Sequence, residues 1–149
     1  MKEVGLTKQE RNFVTIMRFF SLVYGSLAIL FVFVPDWILT YLTNIGIVFF
    51  QWRTRIPEFH HDHFWFIPTI AFLLTLSYAA YLSSRDLLRN MSFARVVVAG
   101  QGMTTMGFLI AAIIIEPLFV YLASAIVGGL FFLAAWYALF TARQSRPPA

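Results

Sequence analysis

Two long apolar runs in the C-terminal part of the chain constrain its fold more than any other feature. They cover residues 93–115 and 118–140, and only Glu116 and Pro117 separate them. A helix of about 20 apolar residues is about 30 Å long, which matches the hydrocarbon core of a lipid bilayer. Two such helices joined by so short a turn must run antiparallel. The sequence therefore predicts a transmembrane hairpin over residues 93–140.

Composition extends this prediction to the whole chain. Apolar residues make up 60% of the 149 residues and charged residues only 12%, and the mean hydropathy is +0.76. A water-soluble domain of this size needs more polar residues to cover its surface. We therefore interpret residues 1–149 as one integral membrane domain. Cysteine is absent, which excludes disulfides, thiolate-bound metals and a cysteine nucleophile.

Two further apolar segments, residues 13–34 and 64–82, predict a second transmembrane hairpin. The first segment is longer than the apolar core of a secretory signal and ends without the small residues of a cleavage site, so we expect it to remain as a span. The predicted fold is an all-α, integral membrane four-helix bundle of two antiparallel transmembrane hairpins. Ser92 is the expected N-cap of the third span.

Each predicted span carries small residues along one face. Small side chains let helices approach closely in lipid, where the hydrophobic effect does not drive helices together. From the first span to the fourth, these residues are Ser21, Gly25 and Ala28; Ala71, Thr75 and Ala79; Gly100, Thr104, Gly107 and Ala111; and Ser124, Gly128, Ala135 and Ala138. We expect the spans to contact one another along these faces.

Residues 35–63 connect the first two spans, and their first part predicts an amphipathic helix. Apolar residues recur there at helical spacing, at Ile38, Tyr41, Leu42, Ile45, Val48 and Phe49, while Asp36, Thr40, Thr43 and Asn44 share the opposite face. A helix of residues 36–50 is too short to cross a bilayer. We expect it to lie in the membrane interface with a break near Gly46. Alternatively, its apolar face docks on a partner protein.

The basic residues predict the orientation of the chain. Nine of the eleven Lys and Arg residues lie in the N-terminal segment with Arg18, in residues 83–95 or in the C-terminal tail, and the loop 35–63 holds the other two. Positively charged segments stay in the cytoplasm. We therefore expect a multi-pass protein of the bacterial inner membrane with both termini cytoplasmic and the loop facing outward. The net charge of +4 then reflects topology, and we expect no nucleic-acid partner.

The outward loop contains the one group of side chains suited to binding a metal. His60, His61 and His63, with Asp62 and Glu58, offer imidazole and carboxylate ligands for zinc or copper. Their spacing lacks the i, i+4 pairs of a strong helical metal site. A polar interfacial loop ahead of the second span explains the same residues, and a pH-responsive contact is a third interpretation.

Few polar residues lie within or beside the predicted spans, and each has a structural explanation. Arg18 can extend to the basic side of the membrane as an anchor, or bind an anionic headgroup or a partner's carboxylate. Glu116 is expected to cap the fourth span at the water boundary. Gln101, Thr104 and Thr105 can bond to a neighbouring helix or to a quinone.

The predicted spans lack the residues that most membrane chemistry requires. No histidine lies within a span to ligate a haem, and no Asp, Glu or Lys lies deep enough for a proton relay or an ion-coupled carrier. The sequence also lacks a Ser/His/Asp order, a glycine-rich phosphate loop and an HExxH motif. We therefore expect no enzymatic activity and no catalytic residues.

Several local features are typical of a known group of membrane proteins: Arg18, the Tyr24-Gly25 pair, Pro35 at the end of the first span, Phe64-Trp65 at the start of the second, and the Arg85-Asp86 turn. In these features the chain resembles small bacterial four-span membrane proteins of uncharacterised function, such as DoxX-like membrane proteins. The resemblance covers the hydropathy layout of most of the chain. It implies a four-helix membrane fold and carries over no functional residue.

The sequence is compatible with two functions. The first is an accessory or assembly subunit that has no cofactor and packs against a larger membrane complex, with membrane lipids and other membrane protein subunits as its partners. The second is a small binding module, which holds a metal through His60, His61, His63 and Asp62, or a lipid or quinone between spans. The small size of the chain and its lack of intrinsic chemistry favour the first.

Overall fold

The computed structural model describes residues 6–52, 66–86, 89–115 and 117–145, and these residues form helices and no strand. The elements are α1 (Lys8–Phe33), α2 (Pro35–Phe50), α3 (Phe66–Arg85), α4 (Met91–Ile110), a π-helical turn (Ala111–Ile115) and α5 (Phe119–Gln144). Four helices are long and apolar enough to cross a membrane: α1, α3, α4 with its π-helical extension, and α5. They correspond to the four apolar segments of the sequence.

The first helix begins before its apolar run because its first turn is capped. Thr7 Oγ1 accepts a hydrogen bond from the Glu10 N–H at 3.2 Å, and Glu10 Oε2 accepts one from the Thr7 N–H at 2.8 Å. This reciprocal pair is a capping box, and it satisfies N–H groups that a helix start otherwise leaves unpaired. The T-x-x-E signature of residues 7–10 signals it, although hydropathy alone does not. The helix therefore starts at Lys8 rather than at residue 13.

A single residue separates α1 from α2. Val34 leaves the helical region, with φ −142° and ψ 50°, and Pro35 follows as the first residue of α2. A proline cannot extend the preceding helix because it lacks an N–H and its ring clashes with the turn before it, but its fixed φ suits a helix start. The chain therefore ends its first long helix where the sequence predicts.

The second helix is continuous, so the expected break near Gly46 is wrong. Gly46 is buried at the point where α2 meets the start of α5. A Cβ at this position would lie 2.6 Å from Cβ of Phe119. The glycine therefore serves close packing between two helices rather than a bend. After Phe50, Gln51 adopts a left-handed conformation with φ 50° and ends α2.

The face of α2 that packs against the rest of the protein differs from the predicted apolar face. Thr43 belongs to the predicted polar face, yet only 4% of it is exposed. Its hydroxyl donates to Leu39 O at 2.8 Å, so burial leaves no unpaired polar group there. Tyr41, Val48 and Phe49, from the predicted apolar face, are exposed. Placement of α2 in the membrane interface stays a prediction.

The four long helices pack side by side, with α1 against α3, α3 against α4, α4 against α5, and α5 against α1. Where α4 meets α5, the neighbouring pairs are Phe108 with Tyr121, Thr105 with Gly128, and Gly102 with Phe132. Residue numbers therefore rise along one helix as they fall along the other. Where α1 meets α3, Ser77 Oγ donates to Ser21 O at 2.8 Å.

The buried core lies toward the end of the protein where α1 and α4 begin and α3 and α5 end. Its larger members are Phe13, Val14, Met17, Phe20, Tyr24, Leu76, Val97 and Leu139, with alanines Ala79, Ala80, Ala94, Ala135, Ala138 and Ala142 between them. Residues of α4 beyond Gln101 contribute nothing to this core. Packing is therefore densest at one end of the helices.

Two local predictions about α3 and α4 need correction. Asn90, not Ser92, precedes the first residue of α4, and it makes no side-chain cap hydrogen bond. Its Nδ2 instead donates to Leu82 O at 2.9 Å, which ties the start of α4 to the end of α3. In α3, Ala71 and Thr75 are exposed. The inward face of that helix is rotated toward Leu76, Ala79, Ala80, Ser83 and Ser84.

Candidate functional site

The predicted metal ligands lie outside the residues that the structure describes. This applies to His60, His61, His63, Asp62 and Glu58, so a metal site in the outward loop stays a prediction. Within the four described ranges, no group of three or more His, Cys, Asp or Glu side chains could hold a metal ion.

Glu116, the expected cap of the fourth span, also lies outside the described residues. Residues next to it in the sequence contact the end of α2. Trp52 Nε1 donates to Pro117 O at 2.7 Å, directly before α5. The Phe119 ring lies 5.0 Å from the Phe50 ring and 6.1 Å from the Trp52 ring, centroid to centroid. These aromatic contacts fasten the end of α2 to the start of α5. Trp52 and Pro117 are 65 positions apart in the sequence. Hydropathy is a local property of the sequence, so it does not reveal this contact.

Thr104 and Thr105 of α4 do not make the hydrogen bonds to a neighbouring helix that the sequence suggests for them. Thr104 Oγ1 donates to Gly100 O of its own helix at 2.8 Å. Thr105 Oγ1 is buried and has no hydrogen-bond partner; it lies 2.9 Å from the position that a Cβ on Gly128 would take. Gln101 is buried beside the same glycine.

Tyr24 joins these residues from α1, and the sequence reading did not single it out as a polar group. Only 2% of Tyr24 is exposed, and its hydroxyl lies beside the Gln101 side chain. Met17, Phe20, Tyr24 and Ala28 follow the i, i+3, i+4 spacing of a buried stripe, which is the signal that could have placed it. Tyr24, Gln101 and Thr105 form an interior polar cluster that supplies hydrogen-bonding groups but no carboxylate, imidazole or amine.

The last turns of α4 form an uncovered surface, which we call the outer α4 face. It consists of Met103, Met106, Gly107, Ile110, Ile113 and Ile114, all of them exposed. Only 11% of the most apolar window of this span is buried, against 17% to 22% for the other three. A Cβ on Gly107 would meet no atom of the described residues within 4 Å.

Arg18 lies at the opposite, densely packed end of the bundle, and three other arginines lie there with it. Arg18 and Arg85 line a groove between α1 and α3, and Arg95 and Arg143 line a groove between α4 and α5. All four side chains are exposed. Sequence reasoning predicted that these residues share one side of the membrane, but not that they form pairs across helix contacts.

Comparison with known proteins adds no relative to these observations. No family model, curated protein or solved structure significantly matches the chain.

Proposed function

We propose that this protein is a non-catalytic, multi-pass protein of the bacterial inner membrane that packs against the helices of a larger membrane complex. Its two antiparallel transmembrane hairpins, α1 with α3 and α4 with α5, keep both termini in the cytoplasm, while α2 lies in the outer interface. This arrangement agrees with the resemblance to DoxX-like proteins, which stays a prediction. The partners are membrane lipids and other membrane protein subunits.

The observation that carries this proposal is the outer α4 face and its glycine. Glycine in the interior of a helix costs about 1 kcal/mol relative to alanine and gives lipid nothing to pack against. In membrane proteins such a cost is recovered where a neighbouring helix approaches the backbone closely. Gly107 has open space above its Cα, on the least covered of the four spans. A helix of a partner subunit fits this position.

The side chains of the described residues support a non-catalytic role. The interior polar cluster holds a phenol, an amide and a hydroxyl, none of which is paired with a base among the described residues. General acid–base and nucleophilic catalysis need such a pair. A supporting role in an assembly requires only the packing surfaces that the helices provide.

The test is purification of the tagged protein from its native membrane in a mild detergent, followed by mass spectrometry. We expect a partner in fixed stoichiometry, and we expect Gly107→Leu to lose it because the larger side chain fills the space of the approaching helix. Ala71→Leu is the matched control, since it enlarges an equally exposed small residue on α3. Recovery of this chain alone, or equal retention of the partner in both variants, would contradict the proposal.

A small binding module is the second candidate, and the arginine grooves favour its lipid version. The metal version depends on His60, His61 and His63 and stays a prediction. Replacing these three residues together by alanine and measuring the metal content of the purified protein tests it. Unchanged metal content would exclude these side chains as essential ligands.

A further inference from the structure

The groove between α4 and α5 has the size and lining of a site for a lipid headgroup. Its volume is about 520 Å³. Arg95 lies one turn into α4 and Arg143 in the last turn of α5, so guanidinium groups from two helices face one groove. No acidic side chain among the described residues lines this groove. Within the described part of the chain, two positive charges therefore share a groove without a counter-charge.

The rest of the lining is apolar and aromatic. Trp136 and Phe140 stack with ring centroids 5.5 Å apart and planes 14° from parallel, and Val98, Ala99 and Leu139 complete the wall. Tryptophan favours the boundary between headgroups and hydrocarbon. We expect arginines beside such a residue to lie at the depth of lipid phosphates. The exposed Leu133, one turn below Trp136 on α5, continues the apolar surface toward the hydrocarbon.

The groove between α1 and α3 has a similar lining, with two arginines and an aromatic side chain. It has a volume of about 410 Å³ and is lined by Arg18 and Arg85 with Ser21, Leu22, Tyr81 and Ser84. The Arg85 guanidinium lies 5.7 Å from the centre of the Tyr81 ring, which holds the side chain along the helix surface. Again no described acidic side chain lines the groove. The same combination at two helix contacts argues against a chance grouping of surface charges.

We propose that the α4–α5 groove binds the phosphate of an anionic phospholipid between Arg95 and Arg143, with an acyl chain along Trp136 and Phe140. The planar guanidinium group matches a phosphate oxygen pair, and basic pockets between transmembrane helices on the cytoplasmic side suit anionic headgroups. A soluble phosphate compound would leave the apolar wall unused, which favours a lipid. This inference rests on the proposed membrane insertion but not on the proposed partner subunit.

The experiment uses Trp136 as a reporter of bound lipid. Trp37→Phe, Trp52→Phe and Trp65→Phe leave Trp136 as the single tryptophan, and the full chain is reconstituted in phosphatidylcholine vesicles. Brominated phosphatidylglycerol or brominated phosphatidylcholine is then titrated, because bromine quenches a tryptophan that it touches. We expect Trp136 to be quenched at lower concentrations of the anionic lipid.

Single charge removals locate the site. Arg95→Gln and Arg143→Gln should each lower the preference for phosphatidylglycerol about five-fold, which corresponds to about 1 kcal/mol per arginine at an anionic membrane surface. Arg89→Gln is the matched control, because it removes an exposed charge from the turn at the same end but outside both grooves. It should change the preference less than Arg95→Gln or Arg143→Gln does, because Arg89 does not line the groove. Arg95→Lys keeps the positive charge but removes the planar guanidinium group. It should therefore lower the preference for phosphatidylglycerol less than Arg95→Gln does.

Three results would overturn the inference. They are equal quenching by both lipids, an equal loss in Arg89→Gln, and displacement of the anionic lipid by inorganic phosphate, which would indicate a site for a soluble anion. Unchanged circular dichroism of each variant shows that the fold is retained. If Arg95→Gln fails to fold, the remaining two variants decide. An unchanged preference for phosphatidylglycerol in both Arg95→Lys and Arg143→Gln would equally overturn the inference. The Gly107→Leu test uses the other end of α4, so either proposal can fail alone.

Discussion

Single glycines decide how closely two helices approach in this protein. No side chain fits at Gly46, because a Cβ there would lie 2.6 Å from the Cβ of Phe119. That atom is bonded directly to the backbone of α5 and cannot move aside freely. Gly107 has open space around it. The two residues are the same amino acid on two apolar helices, so their different roles come entirely from what lies opposite each one.

Replacing Gly46 by alanine should destabilise the protein. The added methyl group must move the backbone of α2 or α5, which costs about 1–3 kcal/mol and outweighs the gain of about 1 kcal/mol in helix propensity. Gly107→Ala should be neutral or stabilising, because it gains the propensity without a clash. Unfolding of the purified chain in mixed micelles, followed by circular dichroism, measures both. Equal stability of the two variants would show that α2 does not pack against α5 as described.

Gly128 and Thr105 should behave as a coupled pair. Gly128→Ala places a methyl group 2.9 Å from Thr105 Oγ1, so we expect a loss of about 1–3 kcal/mol. Thr105→Ala removes that oxygen, and because its buried hydroxyl has no partner, this change alone should cost little. The double variant should therefore regain most of the stability that Gly128→Ala loses. Strict additivity in the same unfolding assay would mean that the two residues are not in contact.

At the scale of elements, helix ends depend on short polar motifs that hydropathy does not register. The capping box of Thr7 and Glu10 extends α1 beyond its apolar run. Thr7 Oγ1 also donates to Ser145 Oγ at 3.1 Å, which joins the start of α1 to the end of α5. At the other end of the helices, Trp52 joins the end of α2 to Pro117. The Thr7–Ser145 and Trp52–Pro117 hydrogen bonds each link residues that are far apart in the chain.

Thr7→Ala should lower the free energy of unfolding by about 1 kcal/mol, the usual cost of losing an N-cap side chain. It should also expose the backbone amides of residues 8–10 to faster hydrogen exchange. Thr15→Ala is the control, because that exposed hydroxyl donates only to Arg11 O of the same helix. Unchanged exchange in Thr7→Ala would show that the cap does not hold the first turn.

At the scale of the whole molecule, the protein is packed unevenly along its helices. The core and all four groove-lining arginines lie where α1 and α4 begin, whereas the outer α4 face lies at the other end. Under the proposed orientation, the cytoplasmic half is the more densely packed half and contains the groove that we propose for lipid. The outer half presents apolar surface to its surroundings.

The absence of cysteine makes the orientation directly testable. Single cysteines at Gln9, Asn44 and Gln144, all exposed, report on the start of α1, on α2 and on the end of α5. Because basic segments stay inside, a membrane-impermeant maleimide should label Asn44→Cys in intact cells. The other two variants should react only after the membrane is permeabilised. Labelling of Gln9→Cys and Gln144→Cys from outside would reverse the proposed topology.

The predicted metal site at His60, His61, His63 and Asp62 lies outside the described residues. Other predictions from the sequence were confirmed where a property belongs to one residue and failed where it depends on a neighbour. The sequence alone placed Arg18 and Gln101 on apolar helices, and each is there. It did not pair Arg18 with Arg85, or place Tyr24 beside Gln101, because these partners lie on different helices. It also missed Ser77, whose hydroxyl reaches α1, since a serine inside an apolar span can equally bond to its own helix.

The amino-acid sequence by itself determined the number and approximate positions of the apolar helices, because hydropathy over about 20 consecutive residues is a local property. Only the tertiary structure decided how each helix is rotated and which residues meet, as Gly46 meets Phe119 and Gly128 meets Thr105. The physical reason is that a helix in lipid is apolar on its outer side as well as its inner side. Polarity therefore does not mark the inward face, and close packing between particular side chains selects it instead.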